Sequence, residues 1–314
     1  MALLGRKKIL LAKIEPTYAA TVTPTGSDAL LVRSLEVTPF ESDSVSRDLV
    51  RPYFGTSDVL LANKRVRCTF SVELAGSGTA GTAPQYGDVL RACGMTQTIV
   101  ASTSVTYDPI SSFAGNDSVT LVYNVDGVQH KVKGARGTFT LSCSNNEIPT
   151  IDFEMTGIYV DPTDTAQSGY TVAYSNQEQP ELFQQGNTSS FQFHSFAGRL
   201  SSLSMALSNE VTYRQLIGDA TGEVMILDRA PAGDVVIEAP VLSDKDYFAI
   251  AKDAGTGNLT FQHGQTAGNI VTMTAARCSL GAPSYSEDNS VQMLNMPYQA
   301  TPTSGNDDFD LVYT

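Results

Sequence analysis

The sequence predicts an all-β protein made of two tandem β-sandwich or open-barrel domains, each with one short helix. Three observations support this prediction: several short segments alternate apolar and polar residues, few segments suit a helix, and the second half resembles the first. At 314 residues the chain is long enough for two domains that each bury a core. Hydrophobic residues make up 41% of it and charged residues 17%, a globular composition.

Residues 65–74 carry the clearest strand pattern. Every second residue of this segment is apolar, namely Val66, Cys68, Phe70, Val72 and Leu74. The residues between them are mostly polar, and this alternation is typical of a half-buried strand. Further strands are predicted at residues 118–123, 128–133, 137–143 and 151–158. Asp126-Gly127 lies between the first two of these and suits a tight hairpin turn.

The domain boundaries follow from the helix and linker signals. Helix-compatible spacing occurs at residues 86–93 and 244–252, and each segment is followed by a glycine suited to ending a helix. Between the halves, residues 161–190 are rich in Pro, Thr, Gln, Ser and Asn and show little periodicity. We therefore expect a first domain at residues 1–163, a linker at 164–190 and a second domain at 191–314.

Motifs of the first half recur in the second half in the same order. Residues 35–37 match 203–205, 69–73 match 234–238, 135–137 match 276–278, and 151–153 match 291–293. Each half also has a long connection between its first two strands, at residues 39–64 and 208–233. Any two β domains can be aligned by chance, but the shared order favours a duplication.

Charge, cysteine and histidine patterns limit the function. The net charge of −13 argues against a protein that wraps DNA, although acidic composition also keeps many proteins soluble. The widely spaced Cys68, Cys93, Cys143 and Cys278 predict buried, reduced thiols rather than a metal site or disulfides. We expect the scattered His130, His194 and His263 at the surface.

No membrane segment, leader or catalytic motif is predicted. The longest apolar runs are too short for a spanning helix, and the apolar stretch at residues 9–12 is shorter than a secretory signal needs. No nucleophile elbow, metalloprotease motif, phosphate-binding loop or dinucleotide fingerprint occurs in a suitable context. We therefore expect neither an enzyme nor a cofactor, and the remaining alternatives are a structural protein and a surface-binding protein of the adhesin type.

Several segments resemble the tail tube (major tail) proteins of long-tailed phages. They are LLAKIEPTY at residues 10–18, LVRSLEVTP at 31–39, VSRDLVRPYFG at 45–55 and VELAGSG at 72–78. The resemblance covers about the first half of the chain and is weaker in the second half. It implies a virion protein, made in the host cytoplasm, that forms stacked rings around a lumen for DNA and the tape measure protein. A tail terminator protein is a further expected partner.

The resemblance and the repeat together predict the ring. Simple members of that family have one tube domain and form hexameric rings, whereas this chain contains two similar modules. We therefore expect self-association into trimeric rings that imitate sixfold symmetry, because ring contacts are heterologous and two modules can occupy two successive positions. An adhesin-type virion protein remains the alternative.

Two sets of residues are candidates for contacts in such a tube. The connection at residues 39–64 is too apolar for a solvated loop, so it folds back on its own domain or packs against a neighbour. The candidate inter-subunit contacts are Lys7, Lys8, Arg47, Leu49, Tyr53, Phe54, Arg214 and Leu216. Alternation places Asp152 and Glu154 on the polar face of their strand, where they face either the lumen or the outer solvent. In the lumen their carboxylates would repel DNA phosphates.

Overall fold

The computed structural model describes residues 3–112 and 115–314, and their regular secondary structure is almost entirely β. The first half contains β1 (Lys8–Ile14), β2 (Ala29–Leu30), β3 (Val32–Ser46), β4 (Val59–Glu73), α1 (Gly87–Ala92), β5 (Met95–Val100), β6 (Ser104–Pro109), β7 (Val119–Val125), β8 (Val128–Ser144), β9 (Thr150–Tyr159) and β10 (Thr163–Asp164). The second half contains β11 (Thr188–Phe193), β12 (Leu200–Ala206), β13 (Asn209–Arg214), β14 (Glu223–Arg229), β15 (Ala232–Glu238), α2 (Tyr247–Lys252), β16 (Thr256–His263), β17 (Val271–Leu280), β18 (Ser284–Asp288), β19 (Val291–Ala300) and β20 (Asp310–Tyr313). The predicted all-β fold with one short α-helix per half is confirmed.

The alternating segment of the sequence forms the inner half of β4. Val66, Cys68, Phe70 and Val72 are buried, and the residues between them include the exposed Arg67. The predicted hairpin turn is also present, since Val125 pairs with Val128 and both Asp126 and Gly127 have positive φ. Two positive φ angles are the requirement of the turn type that Asp-Gly favours in tight hairpins.

The prediction of a long connection between the first two strands is wrong for the first half and correct for the second, where residues 207–231 join the paired strands β12 and β15. Most of residues 39–64 belong to β3 and β4, which stay paired out to Ser46 and Val59 and form one long hairpin. Residues 208–233 contain the shorter β13–β14 hairpin, which forms a separate two-stranded sheet. The outer half of β3–β4 is exposed on both faces, so it lacks the alternation that identifies a half-buried strand.

The two halves share the same order of strand pairing. In the first half β3 pairs with β4, β4 with β9 and β9 with β8. In the second half β12 pairs with β15, β15 with β19, and β19 with both β17 and β18. Behind these sheets β1 pairs with β7, as β11 pairs with β16. A register shift even recurs, between Val32 and Ser34 in β3 and between Leu200 and Ser202 in β12.

The pairings correct part of the sequence alignment of the halves. Through β4 and β15, Ile151 of β9 corresponds to Leu294 of β19, three residues beyond the Val291 expected from sequence. The β8 motif is likewise displaced, because the counterpart of Arg136 is Ser279 rather than Arg277. Alternating strands look alike at many offsets, so the pattern could not fix this register.

The halves are joined into one sheet by β8 and β12. These strands pair antiparallel from Ser144–Ser202 to Thr140–Ala206, giving the strand order β3-β4-β9-β8-β12-β15-β19-β18. One hydrophobic core cluster includes residues on both sides of this junction, among them Leu141 and Met205. At the back, β20 pairs with β6, which ties the last strand to the first half.

Residues 164–190, predicted as a linker, pack against both halves. Ala173 N donates to Gly26 O at 2.9 Å and Gln85 N donates to Asn176 O at 3.0 Å in the first half. The buried Phe183 ring lies 6.0 Å from the Phe261 ring of the second half. The division into domains at residues 1–163 and 191–314 stays a prediction.

The four cysteines and two of the three histidines are buried in the core. All four cysteines are buried and unpaired, as predicted. His194 and His263 are buried, so the expectation that all histidines lie at the surface is wrong. The His194 ring packs edge-on against Phe193, and the Lys245 ammonium group donates to the His194 carbonyl. Burial, and secondarily Lys245, lowers the pKa of His194 to about 4.

His194 therefore makes stability depend on pH. Its pKa is about 4 in the folded chain and about 6.5 when unfolded, so the unfolded state takes up the proton first as pH falls. We expect the free energy of unfolding to decrease between pH 6.5 and pH 4. His194→Asn should flatten this decrease, because asparagine stays neutral and tolerates the positive φ at this position. Urea unfolding of unassembled protein across this range measures it.

His130→Asn is the matched control, since His130 is only partly buried and should contribute less to the slope. Some slope should remain in His194→Asn, because burial also lowers the pKa of His263. Identical pH profiles for His194→Asn and the unchanged protein would contradict the assignment.

Candidate assembly surfaces

The end of the β3–β4 hairpin, residues 47–58, presents apolar side chains to solvent and is called the hairpin tip below. Val50 and Phe54 are fully exposed, Tyr53 is 66% exposed and Leu49 is 45% exposed. Leu60 and Leu61 extend this apolar character down β4. Such a concentration of exposed apolar groups is unusual on a monomer and is typical of interaction surfaces.

Ion pairs hold the hairpin below its tip. The Arg65 guanidinium donates to Glu41 at 2.9 Å and to Asp43 at 3.1 Å across the two strands. Asn63 adds a hydrogen bond to Asp43 at 2.7 Å. At the base of the tip, the Arg47 guanidinium lies 3.7 Å from the Asp58 carboxylate. The apolar tip therefore extends from a stalk of two paired strands that ion pairs hold together, and not from an irregular loop.

The β13–β14 hairpin occupies the same place in the second half but folds against the sheet of the first. The buried Arg136 donates to the Val224 carbonyl at 2.8 Å, and Val224 N donates to the Tyr18 hydroxyl at 2.6 Å. The Arg136 guanidinium also stacks over the Tyr18 ring at 4.6 Å. The turn of this hairpin leaves Leu216 57% exposed and Ile217 fully exposed.

Lys7 and Lys8 lie apart from both hairpins, at the start of β1. Lys8 is opposite Val125 in the β1–β7 pairing, and the Lys7 ammonium group is 3.4 Å from Asp126. Both lysines are exposed beside the β7–β8 turn. The structure therefore does not bring them together with the apolar candidates.

One face of the long sheet is largely polar, although β15 and β19 contribute Val236, Met293 and Pro297 to it. Asp152 and Glu154 are exposed on β9 while Ile151, Phe153 and Met155 point into the core. Glu154 pairs with Arg67 of β4. The neighbouring strands place mainly Ser, Thr and acidic residues on the same face, namely Glu36, Thr69, Thr138, Thr140, Ser142, Ser202, Ser204, Asp234, Ser284, Ser286 and Asp288.

A comparison with known protein families identifies the family of this chain. The family model of the phage tail tube protein matches residues 5–300. The chain belongs to the phage tail tube protein family. No curated protein matches the chain. This tail tube protein is a structural protein of the virion, located in the tail, and it assembles with itself into a tube.

Other kinds of site are not found in the part of this tail tube protein that the structure describes. Residues 3–112 and 115–314 hold no group of three or more side chains suited to binding a metal ion. No helix within them has the length and apolar character required to cross a membrane.

Sequence reasoning found part of the tail tube protein's exposed surface. It placed Arg47, Leu49, Tyr53 and Phe54 together, and the structure collects them at the hairpin tip. Its candidate contacts did not include Val50 and Ile217, which are both more exposed than the candidates Leu49 and Leu216 beside them. Both are apolar residues in segments without strand or helix periodicity, and this combination could have identified them as exposed.

The apolar tip yields a test of its role in tube assembly. Val50→Ser should abolish or strongly slow the growth of tubes while leaving the fold intact, because the side chain is fully exposed and contributes nothing to the core. Sedimentation and negative-stain microscopy measure tube formation, and thermal unfolding checks the fold.

Val100→Ser is the matched control, since Val100 is a 50% exposed valine at the end of β5, outside the hairpin tip. It should assemble normally. Normal tubes from Val50→Ser would show that the tip is not an assembly contact.

Proposed function

We propose that three copies of this chain form a closed ring, and that the rings stack into a tube through which DNA passes without being bound specifically. The observation that carries this is the repeated pairing order of the two halves, β3-β4-β9-β8 and β12-β15-β19-β18. Each half then acts as one tube module, at residues 1–163 and 191–314, with 164–190 between them. Three chains supply six modules, the number in the hexameric rings of single-domain members.

The long sheet is the part of each chain that lines the lumen in this proposal. Helix α1 and strands β1, β5 and β7 all belong to the side of the core. The opposite face carries Asp152, Glu154 and the hydroxyl-rich strands beside them. A closed barrel has more room outside than inside, so the bulky side of the sheet faces outward and the polar face turns toward the axis.

The size of such a barrel fits a conduit. Eight strands per chain give 24 strands in a ring of three. At about 4.8 Å between strands, 24 untilted strands enclose a circle about 37 Å across, and tilt widens it. This is wider than a DNA duplex, so DNA can pass with side chains and water between it and the wall.

The charge of this face favours the passage of DNA over its binding. Its acidic residues Glu36, Asp152, Glu154, Asp234 and Asp288 are all exposed, and Arg67 on the same face is paired with Glu154. Serine and threonine hydroxyls fill most of the remaining positions. Phosphates passing such a wall meet repulsion and few cations, which limits adhesion.

We assign the contacts between stacked rings to the two hairpins. The hairpin tip with Arg47, Leu49, Tyr53 and Phe54, and the β13–β14 turn with Arg214 and Leu216, both extend from the same place in their module. Their exposed apolar groups would be buried against the next ring or the neighbouring subunit. Lys7 and Lys8 would add polar contacts at another part of the subunit boundary.

Further partners follow from the tube itself. The lumen would hold the tape measure protein before DNA passes, and a tail terminator protein would end the stack. Synthesis in the host cytoplasm agrees with four buried cysteines that remain unpaired.

Electron microscopy of purified protein over a concentration series tests the ring. We expect hollow tubes whose cross-section has threefold symmetry with a sixfold-like inner wall. Rings of six chains would contradict the trimer, because the lumen would then be twice as rich in strands. A monodisperse monomer at high concentration would contradict the tube arrangement and favour a surface-binding protein.

The acidic lumen yields a second test. Asp152→Lys should leave assembly intact, because the side chain is exposed and points away from the core. Three added cations at one level of each ring should make the tubes retain DNA that unchanged tubes release, and the retention should disappear with rising salt. Co-sedimentation of tubes assembled in the presence of short duplex DNA measures this.

Asp253→Lys serves as the control, since Asp253 is an exposed acid at the end of α2, outside the polar face. It makes the same charge change and should retain no DNA in the lumen. Equal retention by both variants, or none by either, would place Asp152 on the outside.

A further inference from the structure

Two strand edges of the long sheet have no partner among the described residues. Strand β18 pairs only with β19, and all five of its residues are exposed. At the opposite end of the sheet, β3 pairs only with β4. Open edges attract further strands, and proteins normally cover them.

The chain already shows how one such edge is covered. At the junction inside the chain, the end of β8 pairs with β12, the first strand that the second half contributes to the long sheet. Strand β18 is the counterpart of that part of β8: Leu141 of β8 lies opposite Ile151, and Tyr285 of β18 lies opposite Leu294, the equivalent of Ile151. Strand β3 is the counterpart of β12, as the shared register shift shows.

We propose that β18 of one copy pairs antiparallel with β3 of the next copy, in the register of the internal β8–β12 junction. This inference rests on the proposed ring and specifies its boundary. The five internal pairs become Ser34–Asp288, Leu35–Glu287, Glu36–Ser286, Val37–Tyr285 and Thr38–Ser284 across the boundary.

The side chains are compatible with this register. Leu35 and Val37 lie on the core side of β3, packed against the hydrophobic cluster, and Tyr285 would meet Val37 on that side. Tyr285 is 58% exposed in the single chain, with the partly exposed Phe248 ring 5.4 Å away. Strand β3 of the next copy would cover this aromatic pair, and cross-strand aromatic and β-branched pairs stabilise sheets.

The polar face is continuous across the same boundary. Ser34, Glu36 and Thr38 would lie beside Asp288, Ser286 and Ser284, and no two acids would be directly opposite each other. A slip by one residue would place core-side residues against polar-side residues along the whole strand. Leu35 opposite Glu287 is the one mismatched pair.

Disulfide trapping tests the register in assembled tubes. Glu36→Cys combined with Ser286→Cys should link neighbouring copies on mild oxidation, because directly paired residues have Cα atoms about 4.5–5.5 Å apart, within disulfide range. The native cysteines are buried and should not interfere. Covalent oligomers on a non-reducing gel, absent after reduction, are the expected result.

The internal junction supplies a matched positive control. Ser204→Cys with Ser142→Cys places the same pair inside one chain, so it should form a disulfide without linking copies. Glu36→Cys with Glu287→Cys is the slipped control and should link copies much less. Thr38→Cys with Ser284→Cys repeats the test two residues away, in case the first pair disturbs assembly.

The outcomes separate the junction from the ring. Tubes that form normally but give no inter-chain disulfide with either in-register pair, while the internal control oxidises, would overturn the junction and leave the tube intact. Stronger linking by the slipped pair would overturn the register. Failure of the unchanged protein to form rings would instead contradict the proposed function.

Discussion

The antiparallel pairing of β8 with β12 is the interaction on which the rest of the molecule depends. It satisfies the backbone groups of one edge from each half and makes a single sheet from two similar sets of strands. The shared core forms behind that sheet, with Leu141 and Met205 in the same cluster. The polar face is continuous on the other side for the same reason.

The two hairpins show how one template is used differently in the two halves. The β3–β4 hairpin projects as a stalk stabilised by Arg65, whereas β13–β14 bends and is held by the buried Arg136. The same element is therefore exposed in one half and packs largely against the first-half sheet in the other.

The sequence was sufficient for the fold class because half-buried strands such as β4 alternate clearly at Val66, Cys68, Phe70 and Val72. It was insufficient for the outer part of β3 and β4, because a strand exposed on both faces has no period to detect. It also misaligned Ile151 with Val291, since alternation alone does not distinguish neighbouring registers.

For the candidate surfaces and the histidines, too, the sequence was sufficient to place some residues and insufficient for others. The acids Asp152 and Glu154 could be placed on a polar face from alternation alone, and they lie on one. The burial of His263 could have been predicted, because it continues the alternation of Leu259 and Phe261 on the buried face of β16. The burial of His194 could not, because it follows the last residue of β11 with a positive φ and packs against Tyr247 of a helix distant in sequence.

The correspondence of Asp152 with Asn295, and of Glu154 with Pro297, has a consequence for evolution. In a ring of identical single-domain subunits, each substitution appears at every position around the wall. In a duplicated chain, one half can change while the other is conserved, so a substitution alters alternate positions only. In the proposed ring, the electrostatic potential of the wall can therefore change in half-steps.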